Sequence, residues 1–363
     1  YFDIEMPENY IGIMCGTSLD SLDFALCQFD KLNKVKLFKS YQLTKELKGR
    51  INLCKEKPNS KILFDKVDRE VTDFILVTLK RFIACTKVKK IKAIGYPGIT
   101  VLHKPEKKIS KNLGNPELIA KNIKIKVIGD FRLTDMKVGG QGAPLAPYFH
   151  DYISSSKKSF LNILNLGGFA NLSYKSDKKL IAYDTGPANY LIDMIAKTYF
   201  NRNYDKNGAL ARKGKMNEDA LLAMLSDKYF CKKIPKSTGF EKFNIKWLKN
   251  FQTKFNLKNK DNLIATVTQL SIISISDAIN SSHFDSSHIF FSGGGSRNNF
   301  VKKQILKRTG LNEIITLPWG LDYKNLESAA FAWLAMMRDK GKMISKAYVT
   351  GAKCKRKLGI IYR

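Results

Sequence analysis

KLIAYDTGPANYLIDMIAK, residues 179–197, is the stretch that decides how the chain folds. Leu180 to Tyr183 form a short apolar run that is typical of a buried strand, and DTGP at 184–187 predicts a sharp turn. From Ala188 to Tyr199 the apolar residues recur at spacings of three and four, which predicts one face of a helix. The sequence therefore predicts a strand, a tight turn and a helix in that order.

The predicted turn is a candidate site for an anion and for a catalytic carboxylate. A helix N-terminus presents free backbone N–H groups and a partial positive charge. Asp184 would end the strand beside this turn, where its carboxylate can act as a general base or help to hold a metal. The alternative is that Asp184 or Thr185 only caps the helix, with Pro187 in its first turn. The residues alone leave both interpretations open.

The composition indicates a globular protein with two domains. The chain has 363 residues, and a single hydrophobic core stops growing at roughly 250 to 300 residues. Hydrophobic residues make up 44% of the chain, which excludes wholesale disorder.

The net charge of +31 comes from 63 Lys and Arg against 32 Asp and Glu. The cations are scattered among apolar residues, as at 87–92 and 121–126, and such alternation is typical of solvated strand faces and edges. A nucleic-acid site would need clustered cations. We therefore expect attraction of anionic ligands but no nucleic-acid partner.

The cysteine and hydropathy patterns predict a cytoplasmic protein without a membrane segment. Six cysteines show no CxxC pair, and with four scattered His residues they predict no zinc site and a reducing compartment. Asp3, Glu5 and Glu8 precede any apolar run, so we expect no signal peptide. The longest uncharged stretches, 159–174 and 262–276, are too short to span a bilayer.

The layout of the first part of the chain is repeated in the second. Strands are predicted at 10–14, 22–29 and 35–41, with CGTSLDS between the first two. A second unit is predicted to open at Ser159, with strands at 160–164, 170–174 and 180–183 and a turn at Gly167 and Gly168. This repeat predicts an α/β protein of two duplicated domains, with a ligand in the cleft between two facing glycine turns.

Further elements complete the two predicted domains. Residues 1–150 are predicted to form the first domain and 151–344 the second, and 345–363 are a candidate segment for a return to the first domain. Gly293, Gly294 and Gly295 follow a strand at 289–292, and they either let a flat ring such as adenine approach the backbone or only make a tight crossover turn. Helices are predicted at 62–85, 116–122, 218–225, 262–281 and 325–339, and a further helix begins near 298. Other strands are predicted at 91–95, 125–128 and 358–362. No regular structure is predicted at 129–150.

Conspicuous motifs run along nearly the whole chain. They are GIMCGTSLDSLD at 12–23, IGDFRLTDMKVGGQGAPLAPYFH at 128–150, NLGGFANLS at 165–173, DTGPANYLID at 184–193, IPKSTGFEKFN at 234–244, GGGSRNN at 293–299, ESAAFAWLA at 327–335, VTGA at 349–352 and LGIIY at 358–362. Together they resemble the motifs of the anhydro-N-acetylmuramic acid kinases, within the actin, Hsp70 and sugar-kinase superfamily. GDFR with GGQGAPL and then DTGP, in this order, is the most specific combination.

The resemblance implies two ribonuclease-H-like (actin-like ATPase) domains around a central nucleotide and substrate cleft. It also implies an enzyme of cell-wall recycling that uses ATP and Mg²⁺. Such an enzyme opens the 1,6-anhydro ring of the muramic sugar by hydrolysis and phosphorylates O6, giving N-acetylmuramic acid 6-phosphate. The family further suggests a homodimer.

Site residues are also implied position by position. Asp184 is the expected catalytic base, and Glu327 is a second catalytic candidate. A helix N-terminal charge, favoured by the helix dipole, is an equally good interpretation of Glu327. Metal ligands are expected at Asp20 and Asp184. The nucleotide is expected at Gly16, Thr17, Ser18, Leu19, Asp20, Ser21, Leu22, Asp23, Gly167, Gly168, Gly186, Gly293, Gly294, Gly295 and Asn298. The sugar is expected at Arg132, Asp135, Gly140, Gln141, Gly142, Asn171 and Asn189.

The chain departs from the family pattern at several positions. Cys15 and Ser21 replace a Ser and a Gly of the first turn, and YPGIT at 96–100 stands where the family has SHGQT. Phe240 replaces an Arg. Each of the changes at Pro97, Ile99 and Phe240 removes a polar group, so we expect weakened activity on the anhydro sugar. There are two alternatives. The chain could be a diverged or inactive relative that acts on another sugar, or it could be a non-catalytic nucleotide-binding protein.

Overall fold

The structure is a computed structural model that describes residues 8–29, 33–154, 162–284 and 286–363. The predicted opening of the second unit at Ser159 and its first strand residues therefore lie outside the described residues. The chain divides into two compact units, the first within Tyr1–Ile153 and Thr316–Arg363 and the second within Ser154–Ile315. The sequence predicts that residues 316–344 belong to the second domain, whereas the structure places them in the first unit.

Strands and helices are numbered in chain order. The strands are β1 Asn9–Cys15, β2 Ser21–Gln28, β3 Lys34–Gln42, β4 Ala93–Gly95, β5 Ile99–Lys104, β6 Ile109–Leu113, β7 Val127–Gly129, β8 Asn162–Leu166, β9 Phe169–Ser176, β10 Lys179–Pro187, β11 His288–Ser292, β12 Asn312–Ile314 and β13 Ile360–Tyr362. The helices are α1 Lys45–Glu56, α2 Lys61–Cys85, α3 Pro116–Ile123, α4 Phe131–Met136, α5 Pro147–Ser154, α6 Asn189–Phe200, α7 Glu218–Leu225, α8 Ile245–Lys254, α9 Lys260–Asn280, α10 Asn299–Thr309, α11 Leu326–Asp339 and α12 Ala347–Thr350.

The two units contain sheets of the same topology. The first sheet has the order β13-β7-β4-β1-β2-β3 and the second has the order β10-β9-β8-β11-β12. In each, three successive strands form an antiparallel meander, and two later strands add parallel to its first strand. The prediction of a duplicated α/β domain is therefore confirmed, and β13 extends the first sheet as an antiparallel edge strand.

A close approach between α11 and the first sheet explains why α11 belongs to the first unit. A Cβ atom at Gly12 would lie 1.8 Å from the Ser328 carbonyl oxygen, and one at Gly95 would lie 2.0 Å from the Phe331 carbonyl oxygen. The helix backbone thus rests directly on β1 and β4. Only glycine permits this packing, which buries Phe331 and the rest of the apolar face of the helix.

Two sequence predictions about local structure are wrong. The DTGP segment is not a turn, because β10 continues to Pro187 through a β-bulge between Asp184 and Gly186. Gly186 has a φ of 148°, a conformation that suits glycine, and this lets the bulge form without ending the strand. The segment at 129–150 is not irregular, since it contains α4 and α5.

Helix α9 crosses the second unit as its central helix. It is 21 residues long, and it alone among the described helices is long and apolar enough to span a membrane, by length and composition only. Most of its residues are buried against the second core, including Val267, Leu270 and Ile272.

Candidate active site

Asp184 lies at the bulge of β10 and is 8% exposed. Its carboxylate Oδ2 accepts a hydrogen bond of 2.9 Å from the Thr238 N–H. Its own N–H donates to the Lys236 carbonyl at 3.0 Å, and its carbonyl accepts from the Tyr229 hydroxyl at 2.6 Å. The loop at 229–238 therefore fixes the orientation of Asp184.

Neither Asp184 nor Thr185 caps α6. The N-cap position belongs to Ala188, which makes no side-chain cap, and the Thr185 hydroxyl donates to the Ala170 carbonyl at 3.4 Å. The interpretation of Asp184 as a simple helix cap is therefore wrong. Its carboxylate instead faces the loop residue Thr238.

Lys236 is a buried cation in the same loop. Its Nζ donates to the carbonyls of Tyr229 at 3.2 Å and Phe230 at 2.9 Å, and it lies 4.9 Å from the centroid of the Tyr229 ring. Burial lowers the pKa of Lys236. These contacts hold together the loop that supports Asp184. Lys236 and Thr238 were not predicted as site residues, although both lie in the IPKSTGF motif.

A row of polar residues crosses three strands beside Asp184. Asn171 of β9 pairs with Asp184 of β10 on one side and with Asn165 of β8 on the other. Directly opposite residues in antiparallel strands bring their side chains together on one face. The structure thus joins two predicted residues, Asn171 and Asp184, and adds Asn165, which was not predicted.

The N-terminus of α6 is already satisfied by protein groups. The N–H groups of Ala188 and Tyr190 donate to the Gly168 carbonyl, and the N–H of Asn189 donates to the Gly167 carbonyl. The N–H groups of Asn189 and Tyr190 thus bind the glycine turn and are not available to an anion, and the anion site at this helix end stays a prediction. Asn189 also donates from its side chain to the Gly167 carbonyl at 2.8 Å.

The turn at Gly293–Gly295 packs against this same glycine turn within the second unit. A Cβ atom at Gly293 would lie 2.2 Å from Asn165 Oδ1, and one at Gly295 would lie 2.1 Å from Asn189 Nδ2. Gly294 is exposed, with nothing within 4 Å of its Cβ position. The flanking glycines are thus needed for packing, and the middle one leaves open backbone that a flat ligand can approach.

Asn298 has a structural role at the end of this turn. Its side chain caps α10 by accepting from the Val301 N–H at 3.3 Å and donates to the Asp205 carbonyl at 3.5 Å. Gly186 also has a structural role, because a Cβ atom at this position would lie 2.8 Å from the Phe230 ring. Both residues shape the second unit, and their contact with a nucleotide stays a prediction.

In the first unit, the hairpin between β1 and β2 presents the predicted phosphate-binding residues. Thr17 and Ser18 are exposed, while the side chains of Leu19 and Leu22 are buried in the first core, so only their main-chain groups could face a ligand. Leu19 has a φ of 57°, and its N–H donates to the Gly16 carbonyl at 3.0 Å. The result is a tight turn with its hydroxyl groups outward.

Three acidic groups accompany this hairpin. The Asp20 side chain is 74% exposed and forms an ion pair of 2.9 Å with Lys48. Asp23 accepts from the Ser21 hydroxyl at 2.8 Å, and burial raises its pKa. Glu327 lies in the first turn of α11, next to the Ser328 carbonyl that approaches β1.

The loop at Gly140–Gly142 is built around Asp135. Asp135 has no exposed surface, and it accepts from the Gly142 N–H at 2.8 Å and from the Thr350 hydroxyl at 2.9 Å. Burial raises the pKa of Asp135. Because it is enclosed, Asp135 positions the loop and does not reach a ligand directly, contrary to its predicted role in sugar binding.

Arg132 and His103 hold the other side of this loop. Arg132 donates to the Gly142 carbonyl at 3.1 Å, and the His103 Nε2 lies 2.8 Å from the Gln141 carbonyl. Burial and the nearby Arg132 charge lower the pKa of His103 to about 4, so the ring is neutral at pH 7. Arg132 and Gln141 are predicted site residues, whereas no motif pointed to His103.

Ile99, one of the departures from the family pattern, lies in the first core. It is 3% exposed and pairs with Leu113 in the hairpin of β5 and β6. Pro97 precedes Gly98, whose φ is 80°. The hydrocarbon at position 99 is thus part of the packing of this unit.

The chain matches the family model described as anhydro-N-acetylmuramic acid kinase over residues 8–363. It is 37% identical to the anhydro-N-acetylmuramic acid kinase of Sulfurovum sp. (strain NBC37-1), covering 98% of this chain and 99% of the relative. It is 34% identical to that of Pseudomonas syringae pv. tomato, covering 97% and 98%. Among solved structures, the chain is similar to an activator of 2-hydroxyisocaproyl-CoA dehydratase from Clostridium difficile. The match covers 92% of this chain and 96% of the activator, at 12% identity and a TM-score of 0.44. This identity and this TM-score are too low to bear on function.

Proposed function

Since the chain belongs to the anhydro-N-acetylmuramic acid kinase family and is thus a phosphotransferase, we propose that it opens the 1,6-anhydro ring of anhydro-N-acetylmuramic acid by hydrolysis and phosphorylates O6 with ATP. The product would be N-acetylmuramic acid 6-phosphate, an intermediate of cell-wall recycling. The observation that carries this proposal is the carboxylate of Asp184, nearly buried and held by the Thr238 N–H.

Asp184 is the proposed general base. It would take a proton from a water that attacks the anomeric carbon, while the released O6 attacks the γ-phosphorus of ATP. A base must be held within hydrogen-bond reach of the proton that it removes. The three hydrogen bonds from the loop at 229–238 supply that fixed orientation, and Asn171 and Asn165 in the adjacent strands supply polar groups suited to sugar hydroxyls.

The glycine turns and the hairpin are the proposed nucleotide contacts. In the second unit, the open backbone at Gly294 suits the flat face of an adenine. In the first unit, the outward hydroxyls of Thr17 and Ser18 and the backbone of their tight turn suit phosphate oxygens. In the same unit, Arg132 and the loop at 140–142 are proposed to bind the sugar.

The residues also suit Mg²⁺. This ion is usually bound through one or two carboxylates, substrate phosphates and several waters, not by a cage of protein groups. The described residues contain no cluster of three or more His, Cys, Asp or Glu side chains, so the phosphates of ATP would be its main ligands. Asp20, whose surface ion pair with Lys48 is weak, and Asp184 are the proposed protein ligands. When bound, the ion would neutralise phosphate charge.

Incubation with ATP, Mg²⁺ and anhydro-N-acetylmuramic acid, followed by mass spectrometry, tests the proposal. The expected product has gained one water and one phosphoryl group. Asp184→Asn should lower the turnover by about 10²- to 10⁴-fold, the usual contribution of a general base. Asp277→Asn, an exposed carboxylate of the same unit, is the matched control. Turnover of Asp184→Asn within a few-fold of the wild type would remove Asp184 from this role.

A diverged relative that acts on another sugar is the second candidate. Pro97, Ile99 and Phe240 stand where the family has His, Gln and Arg, and this specific difference favours it. A panel of amino sugars and anhydro sugars assayed for ATP consumption separates the two candidates. Faster turnover of another sugar than of the anhydro sugar would decide for divergence.

We also propose that the protein is a cytoplasmic homodimer, as the family resemblance suggests.

A further inference from the structure

A basic cavity lies in the first unit, at the C-terminal ends of α4 and α11 and the loop that precedes β13. Its volume is about 370 Å³, within the range of small-molecule sites. Five of the nine residues that line it are cations and none is acidic, namely Lys137, Arg338, Lys355, Arg356 and Lys357. We propose that this basic cavity binds a compact polyanion that carries two or more phosphate groups.

The cations of the cavity lack partners of opposite charge. Among the described residues, none of the five forms an ion pair with a carboxylate. The nearest carboxylate in sequence, Asp339, is committed to Lys126 and to the hydroxyl of Tyr10. Five cations gathered without neutralisation repel one another, and an anion between them relieves that repulsion.

Hydrogen bonds hold the basic cavity in shape. Gly359 donates its N–H to the Thr134 hydroxyl at 2.8 Å, and its carbonyl accepts from Arg338 Nε at 2.7 Å. The Arg356 carbonyl accepts from the Ile344 N–H at 3.0 Å. The loop is thus tied at Arg356 and at Gly359. Arg338 is fixed through one nitrogen, which leaves its two terminal amino groups for a ligand. Such a fixed guanidinium suits phosphate oxygens.

The shape of the site selects the class of anion. A nucleic-acid site would need a stripe of cations along an extended backbone. Here the cations converge on one concave site formed by two helix ends and a single loop. Exposed Met343 adds an apolar side chain to the lining. A chain of two or three phosphates, free or attached to a small molecule, matches this arrangement. This site is independent of the kinase reaction proposed above.

Calorimetric titration of the full chain with inorganic tripolyphosphate, pyrophosphate and orthophosphate tests the proposal. We expect affinity to rise with the number of phosphates. The double variant Lys355→Glu with Arg356→Glu should weaken tripolyphosphate binding by about tenfold or more, because charge-assisted bonds become repulsive. The matched control, Lys89→Glu with Lys90→Glu, makes the same charge change at exposed positions of the same unit and should stay within about twofold of the wild type.

Each result decides the proposal. Equal weakening of tripolyphosphate binding in both double variants would mean general charge attraction. An unchanged affinity in the Lys355→Glu with Arg356→Glu variant would mean that tripolyphosphate binds elsewhere. Either result would overturn the proposal. Tighter binding of a single-stranded RNA oligomer with a steep salt dependence would overturn the class of ligand. Sugar phosphorylation should be retained in the cavity variant, so a failure of the kinase proposal would appear separately as absent turnover in the wild type.

Discussion

Replacing Gly140 with alanine tests how the loop at 140–142 is held. The added Cβ would lie 2.1 Å from Asp135 Oδ2 and 2.6 Å from its Cγ. The carboxylate would have to move by more than about an ångström to reach an ordinary contact distance. That movement breaks its hydrogen bonds to Gly142 and Thr350, and bonds to a charged group contribute about 1.5 to 3 kcal/mol each. Gly140→Ala should therefore lower the free energy of unfolding of the first unit by about 3 to 6 kcal/mol.

Denaturant titration followed by tryptophan fluorescence measures this loss, because Trp319 and Trp333 report on the first unit. Gly49→Ala is the control, since nothing lies within 4 Å of its Cβ position in α1, and it should be neutral or stabilising. Removing the carboxylate with Asp135→Ala should abolish the clash, so adding Gly140→Ala to that variant should cost less than about 1 kcal/mol. Fully additive losses in the double variant, or a loss below about 1 kcal/mol in Gly140→Ala alone, would refute the reasoning.

Three further predictions concern the first unit. Ile99→Gln would bury an amide in its core and should lower the free energy of unfolding by about 2 to 4 kcal/mol in a urea titration; a neutral result would show that the site accepts the polar group. Gly12→Ala should prevent stable folding, seen as a low melting temperature in calorimetry, because its Cβ would meet the Ser328 carbonyl at 1.8 Å; a wild-type melting temperature would contradict this packing. Burial lowers the pKa of His103 to about 4, whereas the unfolded value is about 6.5. As the pH falls, the unfolded state therefore binds a proton before the folded state does. The free energy of unfolding decreases as the pH falls from about 6.5 towards 4. His103→Gln should therefore reduce the stability difference between pH 7 and pH 5 by about 2 kcal/mol, and an unchanged difference would count against a neutral buried ring.

The strongly periodic elements were predictable from the sequence. The helix predicted at 62–85 is α2, and the one at 218–225 coincides with α7. Helices α1 and α8 were missed because they bury few side chains; α8 fully buries Leu248 alone. A narrow apolar face gives a weak period, and tertiary packing then decides the helix.

The candidate site could be predicted only where its chemistry is local. Asp184 and Asn171 were identified from motifs, but the bulge between Asp184 and Gly186 depends on the pairing with β9. The partner that encloses Asp135 is Thr350, which is 215 residues away. Contacts at that separation leave no periodic signal in either segment, so the prediction gave Asp135 a direct contact with the sugar where the structure gives it a supporting position.

The packing of α11 on Gly12 and Gly95 has a consequence for the order of events during synthesis. Strands β1 and β4 leave the ribosome long before α11, whereas Ser154–Ile315 emerges as one uninterrupted segment with its own core. Domains generally fold as units while the chain is being made. The second unit can thus fold first. Until α11 has been synthesised, the strand surfaces at Gly12 and Gly95 stay uncovered. The first unit can therefore complete its packing only after α11 has been synthesised, near the end of the chain.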